Sequence, residues 1–253
     1  MLLLIASAKK LDFATPVRPP EVSQPAQLKQ AKVLAGLLKA MDLPGLAALM
    51  DLSDDLAALT AGRYRAWKPP FTPANARPAL LAYAGDAYGA LDAGSLEAGD
   101  LAFAQAHLRI VSGLYGLLRP LDLIQPYRLE MGARLANPAG PDLYSHWRGP
   151  LTAALGKALK ADGGPLVNLA SGEFFGALDA AALPGRIVTP VFEEAGPRGY
   201  RVVSFHAKRA RGLMCRHAIR HRLERAEDLR AFAEDGYAFV PEASEADRWV
   251  FRR

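Results

Sequence analysis

The chain has 253 residues, about half of them apolar, a formal charge of +5 and a sequence pI near 9.4. That length fits one large domain or two small ones, and Ala and Leu dominate in a way that favours helices. The modest basicity tolerates a polyanionic partner without demanding one. A single cysteine, Cys215, excludes an intrachain disulfide and fits a reducing compartment. No run approaches the ~20 apolar residues needed to span a bilayer. Met1 to Ser7 does not read as a signal peptide, because Lys9 and Lys10 follow the apolar run instead of preceding it. The expectation is a cytoplasmic protein with no membrane partner.

In chain order, residues 2–6 predict a buried strand, with Ser7 to Lys10 as the loop at its end. Residues 14–25 carry Pro16, Pro19, Pro20 and Pro25 and predict an extended connection. Leu28, Ala31, Leu34, Leu38 and Met41 recur at helical spacing from Gln27 to Met41. A second helical pair follows, Pro44 to Met50 and Asp54 or Asp55 to about Trp67, with Ser53 placed as an N-cap. Ala79 to Ala84 fits a strand or the start of a buried helix. Residues 97–111 read as one helix. Leu143 to Ala161 reads as another, closed by Gly163, Gly164 and Pro165. Leu166 to Ala170, Arg186 to Phe192 and Tyr200 to His206 are strand-like, Ala207 to about Arg225 is helical, and 238–240 and 249–251 are short terminal strands. Strands scattered among helices, without repeats or a low-complexity linker, predict one mixed α/β (α+β) domain over 1–253: a mixed sheet flanked by helices.

The stretch from Ser112 to Gly132 stands apart. Pro120 and Pro126 each remove a backbone donor, so it is neither a single helix nor a central strand. Yet it sets Tyr115, Arg119, Asp122, Tyr127, Arg128 and Glu130 among Leu and Ile. Buried Arg and Glu need partners to offset desolvation. The segment reads as a site, or as the floor of one.

The densest basic region runs from Arg198 to Arg225, with Glu224 its only acid. Cations crowded on one helix repel unless an anion sits nearby. At helical spacing Lys208, Arg211 and Arg222 share one face and Arg209, Arg216 and Arg220 another. Ala207, Ala210, Met214 and Ala218 line a third that can dock on the sheet. His217, His221 and Glu224 also fall at one-turn spacings, but a cationic helix repels a metal, so no metal site is assigned. Cys215, in cationic surroundings, is a reactive-thiol candidate, although a lone cysteine is more often inert. The loop from Asn168 to Phe174 follows a strand, where α/β proteins commonly bind ligands. Asn168, Ser171 and Glu173 there either hydrogen-bond a ligand or cap the next helix. Ser7, Lys9, Asp86 and Tyr88 can converge on the same edge. No nucleophile elbow, Walker loop or Rossmann glycine signature is present, and no cofactor is implied.

Six segments together resemble the bacterial YaaA family, linked to resistance to peroxide stress: Ala6 to Lys10, Phe71 to Arg77, Gly85 to Tyr88, Ser112 to Gly132, Asn168 to Ser171 and Ser204 to Met214. They occur in order over nearly the whole chain. The resemblance implies a compact α/β fold, a cytosolic location, a role in limiting iron-driven oxidative damage, and binding of duplex or branched DNA through a positively charged cleft near a helix-hairpin-helix element. That element falls at about 43–67 here. Its turn departs from the family's pattern: Asp51 to Asp55 carries three aspartates and lacks the glycines that expose N–H groups to phosphate. Arg63, Arg65 and Lys68 remain as contacts from the second helix.

Two functions of different class follow. A DNA-binding protein would line its cleft with Lys9, Lys10, Arg119, Arg128, Lys208, Arg209, Arg211 and Arg216, with Arg63 from the hairpin, mainly through backbone contacts. An enzyme acting on a phosphorylated or nucleotide-like small molecule would hold its anion with Arg119, Arg128 and Lys208 and use Asp86 or Glu130 as acid or base. Its pocket would include Ser7, Tyr88, Tyr115, Asn168 and Ser171. Direct iron binding has the thinnest ligand set.

Overall fold

A computed structural model describes residues 1–17 and 21–253. The first strand, β1 (Leu2–Ala6), has its four leading residues fully buried. Both of its faces are covered, so it reads as a continuous apolar run and not an alternation. Three helices follow: α1 (Leu28–Ala40), α2 (Leu43–Met50) and α3 (Asp54–Ala66). Asp42 caps α2 by accepting from Gly45 N at 2.9 Å, whereas Ser53 stands at the N-cap of α3 without a side-chain capping bond. Three residues join α2 to α3, and the two helices pack against each other. Pro19 and Pro20 of the expected extended connection lie outside the described residues. Its far end is extended, with Ser23 bridged to Asp122.

Then come β2 (Arg77–Pro78), α4 (Ala79–Ala82), α5 (Asp86–Leu91), α6 (Ala98–His107), β3 (Leu108–Ser112), β4 (Gly116–Leu118) and β5 (Leu123–Ile124). The single helix expected over 97–111 is corrected here: it ends at His107, and Leu108 to Ser112 cross into the sheet. The tertiary cause is the open side of β1, which pairs with Leu108 to Val111 in parallel register. Long helix α7 (Leu143–Asp162) leads to β6 (Leu166–Asn168), the single-turn α8 (Gly172–Phe175) and β7 (Ile187–Glu193). Tyr200 to His206 is not a strand. Only Arg201 pairs, with Glu194, and helix α9 (Ser204–Arg220) has already begun. It also stops short of Arg225: Arg222 takes a left-handed φ of 51°, so Arg222 does not share a helical face with Lys208 and Arg211. Strands β8 (Ala238–Phe239) and β9 (Arg248–Arg252) close the chain.

The main sheet has the order β4-β3-β1-β6-β7-β9-β8. Its five inner strands are parallel, while β4 and β8 add antiparallel edges. From β1 the chain pairs first with β3 on one side and then, after crossing over, with β6 on the other. The connections reverse direction between β1 and β6, and in open α/β sheets the crevice beyond the strand ends at such a reversal is where ligands bind.

The segment Ser112 to Gly132 seals one end of the core. Gly116 has φ +71°, and a Cβ there would stand 2.2 Å from the Gln27 side-chain oxygen and 2.5 Å from the Trp147 ring, so only glycine fits. Tyr115 is wholly buried and its hydroxyl accepts from Trp67 Nε1 at 2.8 Å and from Gln125 N at 3.0 Å. Asp122, also buried, accepts from Ser23 Oγ at 2.6 Å and from Arg119 N at 2.8 Å. Burial nevertheless raises its pKa above the ordinary carboxylate value.

Candidate nucleic-acid interface at the strand ends

Beyond the carboxyl ends of β1 and β6 lies a cleft of about 430 Å³. The loop after β1 delivers Ser7, Ala8, Lys9 and Lys10, the loop after β6 delivers Leu169 and Ser171, and the single-turn α8 adds Glu173. The start of α5 adds Asp86 and Tyr88, the central segment adds Tyr127 to Glu130, and α9 adds Lys208 and Arg211. The end of β1 is held there because Ser7 N donates to Val111 O at 2.9 Å and Tyr88 donates to Ala6 O at 3.0 Å. Helix α9 reaches the cleft by crossing α5 at very close range. A Cβ on Gly212 would lie 1.9 Å from the Ala87 carbonyl oxygen.

Five cations meet three carboxylates on this wall. Glu130 takes Lys9 at 2.6 Å and Arg128 at 3.8 Å. Glu173 accepts from Gly132 N at 2.9 Å. Lys208, Arg211 and Lys10 have no carboxylate partner among the described residues. Burial pushes the half-buried Arg211 guanidinium below its ordinary pKa. A cation kept from water without an acid beside it is an electrostatic cost that an incoming anion removes. The floor is a hydroxyl chain: Tyr127 lies 2.7 Å from both Tyr83 and Ser112. Burial holds all three phenols Tyr83, Tyr88 and Tyr127 above the usual range, so they stay protonated.

The sequence-derived cations thus divide. Lys9, Lys10, Arg128, Lys208 and Arg211 come together in the cleft lining, whereas Arg63, on α3, is not part of it. Arg119 turns to Asp122 at 3.2 Å, Arg209 to Asp235 at 3.3 Å and Arg216 to Asp92 at 3.6 Å, away from the cleft lining. Of the pocket candidates, Ser7, Asp86, Tyr88, Glu130 and Ser171 line the cleft. Tyr115 is buried against Trp67, and Asn168 spends its side-chain oxygen on Ala170 N at 3.1 Å. Tyr127 was not among those candidates as a lining residue, although its place in the Ser112 to Gly132 stretch was the signal that could have found it.

The His217 and His221 rings lie 4.5 Å apart and tilted, but the nearby acid is Glu234, at 3.2 Å from His217, and not Glu224. The helix ends before Glu224, which breaks the spacing. Among the described residues no group of three His, Cys, Asp or Glu side chains is placed to hold a metal. Cys215 is wholly buried and its thiol is pushed far up by desolvation, which opposes thiolate chemistry. A larger, more open depression of about 880 Å³ runs along α7, but its cations Arg148, Lys157 and Lys160 all come from that one helix. The strand-end cleft gathers its charge from three separate segments.

A family model described as peroxide stress protein YaaA matches residues 1–243. The chain belongs to the YaaA family. At the level of whole sequences it is 53% identical over 258 residues to a UPF0246 protein of Aromatoleum aromaticum, covering all of this chain and 99% of the relative. UPF0246 proteins of Ralstonia nicotianae and Dechloromonas aromatica are 51% and 50% identical over 254 residues, again with all of this chain and 99% of each relative covered. The family resemblance read from six short segments therefore extends along the full chain. Among the described residues no helix of this YaaA-family protein is long and apolar enough to cross a membrane.

Proposed function

We propose that this YaaA-family protein works in the cytoplasm as a DNA-binding protein of the peroxide response, holding duplex or branched DNA by its phosphates at the strand-end cleft. The observation that carries this reading is the pair Lys208 and Arg211. They stand one turn apart on α9, line the cleft, and have no carboxylate partner among the described residues, while Lys9, Lys10 and Arg128 line the same cleft from other segments. Phosphate contacts would dominate, so affinity falls steeply with salt, at about 0.9 in log–log slope per neutralised phosphate on duplex DNA. Protection from iron-driven damage would then come from occupancy of the DNA and not from holding iron.

The test is a titration of the full chain against duplex, four-way junction and single-stranded DNA at several ionic strengths, beside a Lys208→Glu/Arg211→Glu variant. A steep salt dependence in the parent chain and loss of binding in the variant are expected. A flat salt dependence, or unchanged affinity in the variant, overturns the proposal.

One observation favours a second reading. The cleft sits at the reversal point of the sheet, and its volume suits a small ligand better than a duplex. A phosphorylated or nucleotide-like molecule would be held by Arg128, Lys208 and Arg211, with Asp86 or Glu130 moving a proton. Competition of DNA by millimolar nucleotides, together with turnover lost in Asp86→Asn, would favour this reading over the first.

A further inference from the structure

Three hydroxyls meet at the floor of the cleft, and the bonds around them fix where each hydrogen goes. The Ser112 oxygen already accepts from Leu114 N at 3.3 Å and from Tyr115 N at 3.1 Å, which fills both of its lone pairs. Its own hydrogen therefore goes to Tyr127, whose oxygen lies 2.7 Å away. The Tyr83 hydroxyl, also 2.7 Å from Tyr127, has no second partner among the described residues. Donation from Tyr83 to Tyr127 is the arrangement that strands no buried hydrogen on Tyr83. Tyr127 then accepts twice, and its own hydrogen is left for the cleft, directly or through Ser7, whose hydroxyl acts on the same phenol and which also lines the cleft. Tyr88, the other tyrosine of the lining, spends its hydrogen on the Ala6 carbonyl at 3.0 Å.

Tyr127 is 3% exposed, so nothing that stays on the surface reaches its hydroxyl. A duplex carries its phosphates on a broad cylinder, whereas a small ligand can enter a cleft of about 430 Å³. The same lining holds Lys208 and Arg211, which have no carboxylate partner among the described residues, and Arg128, whose Nε is buried without a partner. A neutral O–H in one cleft with such cations suits a tetrahedral oxyanion. Lys208 and Arg211 supply charge from α9, and the phenol supplies a hydrogen bond from another element without adding repulsion. Burial raises the Tyr127 pKa, so the phenol keeps its hydrogen at neutral pH. We propose that Tyr127 is the hydrogen-bond donor of a small oxyanion site in the strand-end cleft, which takes a phosphate group, free or as the monoester of a small molecule. The proposal rests on the small-ligand reading of the cleft and adds to it a buried hydroxyl that reads the anion. Ser112 and Tyr83 are positioning residues: by donating to Tyr127 they leave its hydrogen for the ligand.

The test is calorimetric binding of inorganic phosphate and of adenosine 5′-monophosphate to the full-length protein at constant ionic strength, with Tyr127→Phe, Tyr83→Phe and Tyr83→Phe/Tyr127→Phe. Loss of a hydrogen bond to a charged group should weaken binding in Tyr127→Phe by about tenfold or more. Tyr83→Phe cuts the same buried bond but leaves Tyr127 its hydrogen, so its loss of affinity should be much smaller. A purely structural hydroxyl would give the two single variants equal losses, and that result overturns the proposal. The double variant removes both phenols of one bond and strands neither, which serves if Tyr127→Phe alone does not fold. Affinity retained there overturns the proposal as well. Tighter binding of the nucleotide assigns a monoester, and equal binding of the two probes assigns free phosphate. A duplex with 5′-hydroxyl ends that loses as much affinity as the nucleotide in Tyr127→Phe would put the hydroxyl on an internal phosphodiester and overturn the small-ligand assignment. If the parent chain binds neither probe, the small-ligand reading falls and the proposal with it. Binding that survives Tyr127→Phe undiminished leaves that reading standing and removes Tyr127 alone.

Discussion

Tyr115 shows how a residue chosen for chemistry turns out to be a structural one. A tyrosine amid leucines, next to arginines and an aspartate, has the composition of a ligand site. In the fold its hydroxyl takes the Trp67 indole N–H and the Gln125 backbone N–H and donates to the Gln125 carbonyl at 3.1 Å. The ring packs edge-on to Phe71 and Tyr127. Tyr115→Phe keeps that packing and strips the acceptor from two buried donors, each costing about 1–3 kcal/mol when left unmade. Urea denaturation should show a destabilisation of that order, and an unchanged midpoint would mean that water replaces the hydroxyl. No sequence pattern separates this tyrosine from Tyr127, twelve residues on, which does line the cleft. The difference lies in which partner the fold brings up to each oxygen.

At the scale of elements, α9 is the part most legible in advance and also the part with the most consequential surprise. Its small-residue face was readable: Ala207, Ala210, Met214 and Ala218 are all buried. Its cations, however, do not act as one surface. Lys208 and Arg211 reach the cleft, while Arg209 and Arg216 find Asp235 and Asp92 contributed by other segments. Gly212 sets the geometry. Replacing a helical glycine with alanine ordinarily stabilises by about 1 kcal/mol. Here the new methyl would meet the Ala87 backbone at 1.9 Å, and overpacking of that kind costs typically 1–3 kcal/mol or more. The steric term wins because a backbone carbonyl cannot swing away. Gly212→Ala should therefore lower the unfolding midpoint and, by pushing α9 off α5, weaken the proposed DNA binding as well. A stabilised variant would show that the helices part without cost.

For the molecule as a whole, stability should fall on the acid side through the buried His146 and the half-buried His217. His146, on α7, is buried; its Nε2 has no partner, and desolvation lowers its pKa although the Gln30 backbone favours the protonated ring. His217 is lowered too, by burial first and by His221 second. A depressed histidine binds its proton more readily in the unfolded chain. Its stabilising effect is thus complete above about pH 6.5 and is lost as the pH falls through that value toward the lower folded pKa. His146→Gln should flatten that decline in chemical denaturation series between pH 7 and 5, whereas an unaltered slope would place the titration elsewhere.

Local chemistry was sufficient for much of this protein. The apolar run of β1, the 3.6-residue periodicity of α1, α3, α7 and α9, the prolines that bar Ser112 to Gly132 from a central strand, and the family itself can all be read along the chain, because each depends on neighbours in sequence. Proximity in space was decided only by folding. The pairing of Leu108 to Val111 with β1 cut a predicted helix short, Asp92 and Asp235 drew Arg216 and Arg209 away from the cleft, and the Tyr64–Arg128 bond tied α3 to the central segment. Each of these joins residues far apart along the chain, or turns on which charges the fold leaves unpaired. Side-chain identity specifies what a group can bond to, and only the tertiary structure determines which bond it finds.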